Sequence, residues 1–373
     1  MTDSSAFRAL VRRYGADATA EQTLNRGMRH WTHGDAGGAD AGGANAGVAY
    51  AVSRVTGRRV WVTAGGPVCA PAARAATMHA FEAAAGAAGA RVVWFAVDTE
   101  AVAALGPGHA ALVVGAEPEW SPARWAEAVD GHASLRRQVR RAGRQGVVVR
   151  EEPAAQAAAD AGVRDVLAFW LATRGMGALS FLADPHVLDA PGDRRAFVAR
   201  TPGDRGGRAV GVLWLAPIPA RDGWLAEWVW RGDGAPNGVT DALVDAAVRQ
   251  LAAEGAAVVS LGLVPLASVA PPSDPSPSAA VRALMRWMRA HARRFYRFDG
   301  LERFKAKYRA ECWRPMHVAT PGAHVGLTSL AAVADVFAAR RGLVPHLTGA
   351  LAQAAREEAQ TARARLARGS GGR

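Results

Sequence analysis

Short apolar runs broken by glycines alternate in this chain with amphipathic stretches of helical length, and the alternation occurs twice. VAYAVSRV, a Thr56-Gly57 turn and RRVWVTA read as a β-hairpin. A helix follows over about 72–85, stopped by Gly86 and Gly89. Strands RVVWFAV (91–97) and ALVVG (111–115) come next. A second round opens at VVVR after Gly146. Val163, Val166, Leu167, Trp170 and Leu171 recur at helical spacing. GRAVGVLWLAP and DGWLAEWVWR read as adjacent strands. Val239, Leu243, Ala247 and Leu251 mark a helix ending at Gly255, and AVVSLGL reads as a strand after it. Hairpins followed by strand–helix–strand units predict an α/β or α+β fold, and α+β is the expectation carried forward. No sequence repeat accompanies the repeated order of elements.

The expected organisation has four parts: an N-terminal helix and flexible loop over 1–47, a first lobe over 48–150, a second lobe over 151–330 and a helical Ala/Arg-rich tail over 331–373. The helix rests on Phe7, Leu10, Val11 and Tyr14, and the loop on GDAGGADAGGANAG (34–47). PPSDPSPS (271–278) reads as a flexible insertion.

Half of the 373 residues are hydrophobic, enough for a sizeable core. Forty-five Lys and Arg against 33 Asp and Glu leave a formal charge of +12. Such an excess suits anionic partners, among them tRNA, phosphoryl groups and an acidic membrane surface. A merely solvated basic surface is the alternative. The cations are almost all arginine: Lys305 and Lys307 are the two lysines of the chain, which singles them out. Cys69 and Cys312 stand far apart in no zinc or redox spacing, so free thiols in a reducing compartment are expected. MTDSSAFRALVRRYG has no apolar core of signal-peptide length, and no apolar run reaches the roughly 20 residues of a membrane helix. A cytoplasmic location follows, with peripheral contact at the inner membrane face left open.

The segment richest in chemistry is RRFYRFDGLERFKAKYRAECW (293–313). Seven basic residues and two acids between Arg293 and Arg309 interleave with Phe295, Tyr296, Phe298, Phe304 and Tyr308. Cations beside aromatic faces suit an anionic ligand with a planar part, such as the acceptor end of tRNA. Lys305 and Lys307 alternate with Phe304, Ala306 and Tyr308. On a strand the two lysines would share one face and could hold phosphates or polarise an ester carbonyl. A solvated edge strand guarded by lysines fits the same pattern.

Three further patterns could carry function. Pro-Asn-Gly ahead of the helix at 239 makes Asn237 and Gly238 candidates for an anion site at a helix start, or for an ordinary capped turn. In WLAEWVWR, alternation puts Glu227, Val229 and Arg231 on one face and Trp224, Ala226, Trp228 and Trp230 on the other. Glu227 could hold a substrate amino group or act as a base. Ser134 can cap a helix bearing Arg136, Arg137, Arg140, Arg141 and Arg144, and the last four line one face, an electrostatic footprint for nucleic acid or a lipid headgroup. The chain has no GxxxxGK[ST] loop, dinucleotide fingerprint or G-x-S-x-G elbow. No cofactor is expected. His30 and His33 with Asp35 lack the further ligands a metal needs.

FYRFDGLERFKAKYRAECWRPMHVA resembles the closing signature of the transferase domain of the lysylphosphatidylglycerol synthetases. There an aromatic, Phe, Gly-Leu, Phe-Lys-x-Lys-aromatic and a later Trp follow in order. SLGLVPLA (260–267), SLRRQVRRAGRQG (134–146) and AEWVWR (226–231) are similar to its strand-and-turn, its arginine-rich helix and its strand ending in Arg. The likeness runs from about 48 to 321.

It implies two tandem acyltransferase-like (GNAT) lobes with a tunnel between them. An aminoacyl group passes there from aminoacyl-tRNA to a hydroxyl of phosphatidylglycerol or a related acceptor. By carry-over, Lys305, Lys307 and Arg231 would bind phosphate or the transferring carbonyl, and Glu227 the donor's amino group. Arg136, Arg137 and Arg140 would meet tRNA or headgroup, with Asn237, Gly238 and Tyr308 as further substrate contacts. The sequence departs from the pattern in three ways. It lacks the family's membrane-embedded flippase part, its strand reads Glu-Trp-Val-Trp-Arg where lipid-modifying members tend to place an Asp nearer the Arg, and a Pro/Ser insertion follows the Pro-Leu turn. Two other readings remain open. One is an acyl-CoA N-acyltransferase, whose Q/R-x-x-G-x-G/A turn Arg140 to Gly146 approaches and fails at Gln145. The other is a non-catalytic basic protein that binds RNA or membrane.

Overall fold

The computed structural model describes residues 4–34, 45–173, 179–203, 207–268, 281 and 298–338. Its strands are β1 (Arg29–His33), β2 (Ala46–Ser53), β3 (Arg59–Thr63), β4 (Val68–Cys69), β5 (Ala90–Val97), β6 (His109–Trp120), β7 (Val148–Glu152), β8 (Arg195–Thr201), β9 (Arg208–Ile218), β10 (Gly223–Arg231), β11 (Val258–Ser260), β12 (Val264–Pro265) and β13 (Cys312–Pro321). The helices are α1 (Ser4–Tyr14), α2 (Arg74–Ala87), α3 (Thr99–Leu105), α4 (Trp125–Asp130), α5 (Ala133–Arg144), α6 (Ala154–Ala159), α7 (Ala161–Ala172), α8 (Val239–Ala253), α9 (Phe298–Ala306) and α10 (Leu327–Ala338).

All thirteen strands join one mixed sheet in the order β1-β2-β3-β5-β13-β6-β11-β10-β9-β8-β7, with β4 on β2 and β12 on β6. In each half an antiparallel run feeds a strand–helix–strand crossover. β3, α2 and β5 form one, β10, α8 and β11 the other, and the strands flanking each helix are parallel. The α+β expectation therefore holds, with two acyltransferase-like halves side by side. β5 and β9 are apolar on both faces because helices cover both. In the first half α1 and α10 pack on Val93, Phe95 and Val318, while α2 and α3 cover Val92 and Trp94. In the second half α5 and α8 cover Phe197 and Leu213, while α6 and α7 cover Val198 and Trp214.

The halves meet at β6. β13 lies along one edge of it, between β6 and β5, and β11 and β12 pair with the other. The close approach of β12 requires Gly115, since a Cβ there would stand 2.2 Å from the Val264 carbonyl oxygen.

Three local expectations are corrected. The lysine segment is the end of a helix, α9, and not a strand. Leu301, Phe304, Lys305 and Tyr308 follow i, i+3, i+4, i+7, so Lys305 turns inward while Lys307 leaves on another side. The alternation of β10 breaks at a bulge between Ala226 and Trp228. Trp224 and Ala226 consequently face the α5/α8 side together with Val229, while Trp228 and Trp230 face α7. The arginine helix is capped by His132, whose Nδ1 accepts from Leu135 N at 3.3 Å, in place of Ser134.

Candidate active site

Buried charge collects at the β6 seam. Glu117 and Glu119 are two residues apart on β6 and so share one face of the sheet. They face the partner residues Arg314 and Cys312 of β13. Glu119 accepts from both terminal nitrogens of Arg221 at 2.7 Å and from Arg314 Nη1 at 3.4 Å. Burial by itself would raise its carboxyl, but these two arginines hold it below the ordinary value. Arg314 also donates to Asp98 Oδ2 at 2.9 Å, while Asp98 Oδ1 caps α3 by accepting from Ala101 N at 2.8 Å. The paired part of the cluster therefore runs Arg221–Glu119–Arg314–Asp98.

Glu117 stands outside that pairing. It is 1% exposed, and its Oε1 has no hydrogen-bond partner among the described residues. Burial, then Asp17 and Glu119, push its carboxyl up to about 7 against the pull of Arg314 and Lys305. Lys305 is the mirror case. α9 carries it inward, where its Nζ donates to the carbonyls of Gly262 at 2.8 Å and Leu263 at 3.2 Å, in the turn between β11 and β12. Burial brings its amine down to about 7, with Glu117 alone opposing. An ammonium has three donors and the carbonyls take two, which leaves one for a ligand. An acid and a base that both titrate near neutrality, shielded from water, suit proton transfer to and from a reacting hydroxyl.

The other expected residues lie elsewhere. Lys307 is ion-paired with Asp241 in the first turn of α8 and lies 4.2 Å from the centre of the Phe304 ring. Tyr308 is 1% exposed and donates its hydroxyl to Asp241 at 2.9 Å, so it is a core residue whose burial pushes its phenol well above the usual range. Asp241 already puts a carboxylate at the α8 start, where Asn237 is exposed. Gly238, with φ +93°, packs on α5: a Cβ there would meet the Gln138 carbonyl oxygen at 2.1 Å.

Glu227 occupies the β10 bulge with its side chain fully buried. It accepts Arg194 Nε at 2.5 Å and Nη2 at 3.1 Å, and Gln22 Nε2 at 3.2 Å. Burial disfavours the Arg194 charge, but Glu227, Glu21 and Asp193 outweigh it and hold the guanidinium above its ordinary value. Arg231 is exposed at the end of β10 and donates to the Ala235 carbonyl. Arg137, Arg140, Arg141 and Arg144 form an exposed stripe on α5, with Arg136 half-buried, and no ion pair reaches them among the described residues. Arg293, Phe295 and Tyr296 lie outside the described residues, as do 271–278 and Asp35.

Of the expected side chains, then, Lys305 alone enters the seam. Its companions Glu117, Glu119, Arg221 and Arg314 were not expected. The signal for two of them was present: EPEW places two carboxylates on one face of a strand that is otherwise apolar. His30 is tied to the Thr23 carbonyl at 2.9 Å, and among the described residues no cluster of His, Cys, Asp or Glu is arranged to hold a metal. Both cysteines are free thiols.

The chain is an α+β protein whose two halves share one mixed sheet, with Lys305 and Glu117 both buried at the seam. More narrowly, the chain belongs to the family described as phosphatidylglycerol lysyltransferase, C-terminal, whose model matches residues 8–320. That is a transferase family. Two solved structures share the fold. One is the C-terminal domain of a protein assigned as a lysylphosphatidylglycerol synthetase from Agrobacterium fabrum: 21% identity, 91% of this chain and 98% of that one covered, TM-score 0.69. The other is L-PGS from Bacillus licheniformis: 20% identity, 88% and 93% covered, TM-score 0.67. A comparison with curated proteins returned no match. Among the described residues no helix is long and apolar enough to cross a membrane.

Proposed function

We propose that the chain moves an aminoacyl group from aminoacyl-tRNA to a hydroxyl of phosphatidylglycerol or a related hydroxyl acceptor. The observation that carries this reading is the burial of both Lys305 and Glu117 at the seam, in a chain of this family. The acceptor oxygen attacks the ester carbonyl. A new ester C–O bond forms, and the bond from that carbon to the ribose oxygen of the tRNA breaks. The proton leaving the acceptor hydroxyl ends on that ribose oxygen. One ester replaces another, so the step needs no ATP.

Lys305, uncharged, takes the acceptor's proton and returns it to the leaving oxygen. Glu117 tunes that proton through its charge. Lys307 and Tyr308 act on Asp241 and so position α9 against α8. The exposed α5 stripe meets the phosphates of tRNA or the headgroups of an anionic membrane.

The test is reconstitution. Purified protein is incubated with phosphatidylglycerol vesicles, tRNA, radiolabelled amino acids and their synthetases, and the lipids are then chromatographed. A labelled lipid whose formation is abolished by RNase is expected, and omission of single amino acids names the donor. If no lipid is labelled while charged tRNA and vesicles are verified, the lipid acceptor is wrong.

A further inference from the structure

A second cluster touches the seam without belonging to it. The segment after α1 folds back over the turn between β3 and β4, and the two enclose a cleft of about 140 Å³. Tyr14, Asp17, Gly66, Cys69, Arg74 and Asp98 are among its walls. At about 30 Å³ per water, it holds the volume of four or five waters. That is room for an amino group on a short chain.

Asp17 is the unusual wall. Its carboxylate borders the cleft and is ringed by protein on its other sides. It accepts one main-chain donor, Gly66 N, at 2.8 Å, and no salt bridge reaches it among the described residues. The nearby arginines are engaged elsewhere. Arg74 pairs with Glu100 at 3.0 Å and reaches Asp98 at 4.0 Å, while Arg314 pairs with Asp98 and Glu119. Burial, then the charge of Asp98, push the Asp17 carboxyl up, so the site favours anything that brings a positive charge.

Behind the cleft wall, Thr19 Oγ1 and Asp17 Oδ2 both pack against Gly65, where an added Cβ would lie 2.9 Å from the first and 2.8 Å from the second. Facing the cleft, the Asp17 carboxylate has one main-chain donor and keeps acceptor positions open for an entering ammonium.

We infer that this cleft receives the protonated amino group of the aminoacyl donor, with Asp17 as its counter-ion. The inference rests on the aminoacyl-transfer reading and gives that site its donor-recognising part. It also replaces Glu227 in the role expected from the sequence, because Arg194 already neutralises Glu227. The cleft adjoins the reacting pair: Asp98 in its wall connects through Arg314 to Glu119 on the strand that carries Glu117, and the charge of Asp17 acts on Glu117 directly. An ammonium seated on Asp17 cancels that charge. It thereby favours the ionised form of Glu117 only when a donor is bound.

The test is calorimetric titration of the full chain with lysinamide and alaninamide, whose carboxyl is blocked as in an ester, and with their Nα-acetyl forms. Free amines are expected to bind saturably, and acetylation of alaninamide should weaken binding at least tenfold. Asp17→Asn keeps an acceptor for Gly66 N and should lose at least tenfold in affinity. Ala101→Leu fills the cleft without altering its charge and should do the same. No binding by the wild-type chain, equal binding of acetylated alaninamide, or unchanged affinity in either variant overturns the inference. The two readings fail separately. Asp17-dependent amine binding without transfer from any charged tRNA would sink the transferase reading. Transfer with undiminished kcat/KM in Asp17→Asn would sink the inference.

Discussion

At the scale of single residues, Lys305 and Glu117 carry the account, and both titrate near 7. If uncharged Lys305 is the base, kcat/KM rises with pH through an inflection near neutrality. Glu117 is the group that holds the Lys305 proton on, so Glu117→Gln should move the inflection to lower pH. An inflection left in place would separate the two residues. The same pair sets stability. Glu117 binds its proton more tightly folded than unfolded, so its contribution is full below about 4.5, the unfolded value, and is lost as pH rises to about 7. Lys305 binds its proton less tightly folded, so stability rises with pH between about 7 and about 10.5. Chemical denaturation across pH should show the acid-side fall vanish in Glu117→Gln. Lys305→Met fits the apolar surroundings without a charge to bury, so it should fold as well as wild type while losing activity. Lys305→Arg should also be inactive, since a guanidinium does not release its proton.

At the scale of elements, the β10 bulge and the α5–α8 contact determine what Glu227 and Gly238 can do. Removing one partner of a buried ion pair strands the other. Glu227→Ala, leaving Arg194 charged at 4% side-chain exposure, should cost about 3–5 kcal/mol in urea unfolding. Replacing both partners by Met should recover most of that. Recovery absent from the double variant would point to catalysis or binding by Glu227 beyond the pair. On α5, replacing exposed Arg137, Arg140 and Arg144 by Ser should flatten the slope of log affinity for tRNA against log salt by about 2–3. An unchanged slope would make the stripe a solvated face.

These elements also show where sequence reading stops. Helices α5, α7 and α8 and strands β5, β9 and β10 follow from local periodicity, which is a property of neighbouring residues. The five residues FKAKY alternate like a strand, yet the wider spacing from Leu301 to Tyr308 is helical, and α9 obeys the wider pattern. The bulge that moves Glu227 out of register leaves no local mark. Its partners Arg194 and Gln22 are 33 and 205 residues away.

At the scale of the whole molecule, the site exists because distant segments converge on β6. Lys305 comes from α9, Arg314 from β13, Asp17 from the segment after α1 and Glu117 from the middle of the first half. Pairwise contacts at such separations are not written in local pattern, so Lys305 is legible as an unusual residue and EPEW as two carboxylates on one strand face, while their meeting is not. β13 also closes the sheet between β5 and β6. A chain ending at Ala310 would expose both strand edges and should aggregate in place of folding as a monomer, which size-exclusion chromatography would reveal.

Aminoacyl transfer at the seam with Lys305 as proton carrier can be read in a single turnover: purified, pre-charged aminoacyl-tRNA, phosphatidylglycerol vesicles, no ATP and no synthetase, with wild type beside Lys305→Ala. Label should move from tRNA to lipid with the wild-type protein, and the variant should lose at least a hundredfold in rate. Transfer at equal rates in the two proteins, or none by the wild type from any charged tRNA, would rule out this role for Lys305.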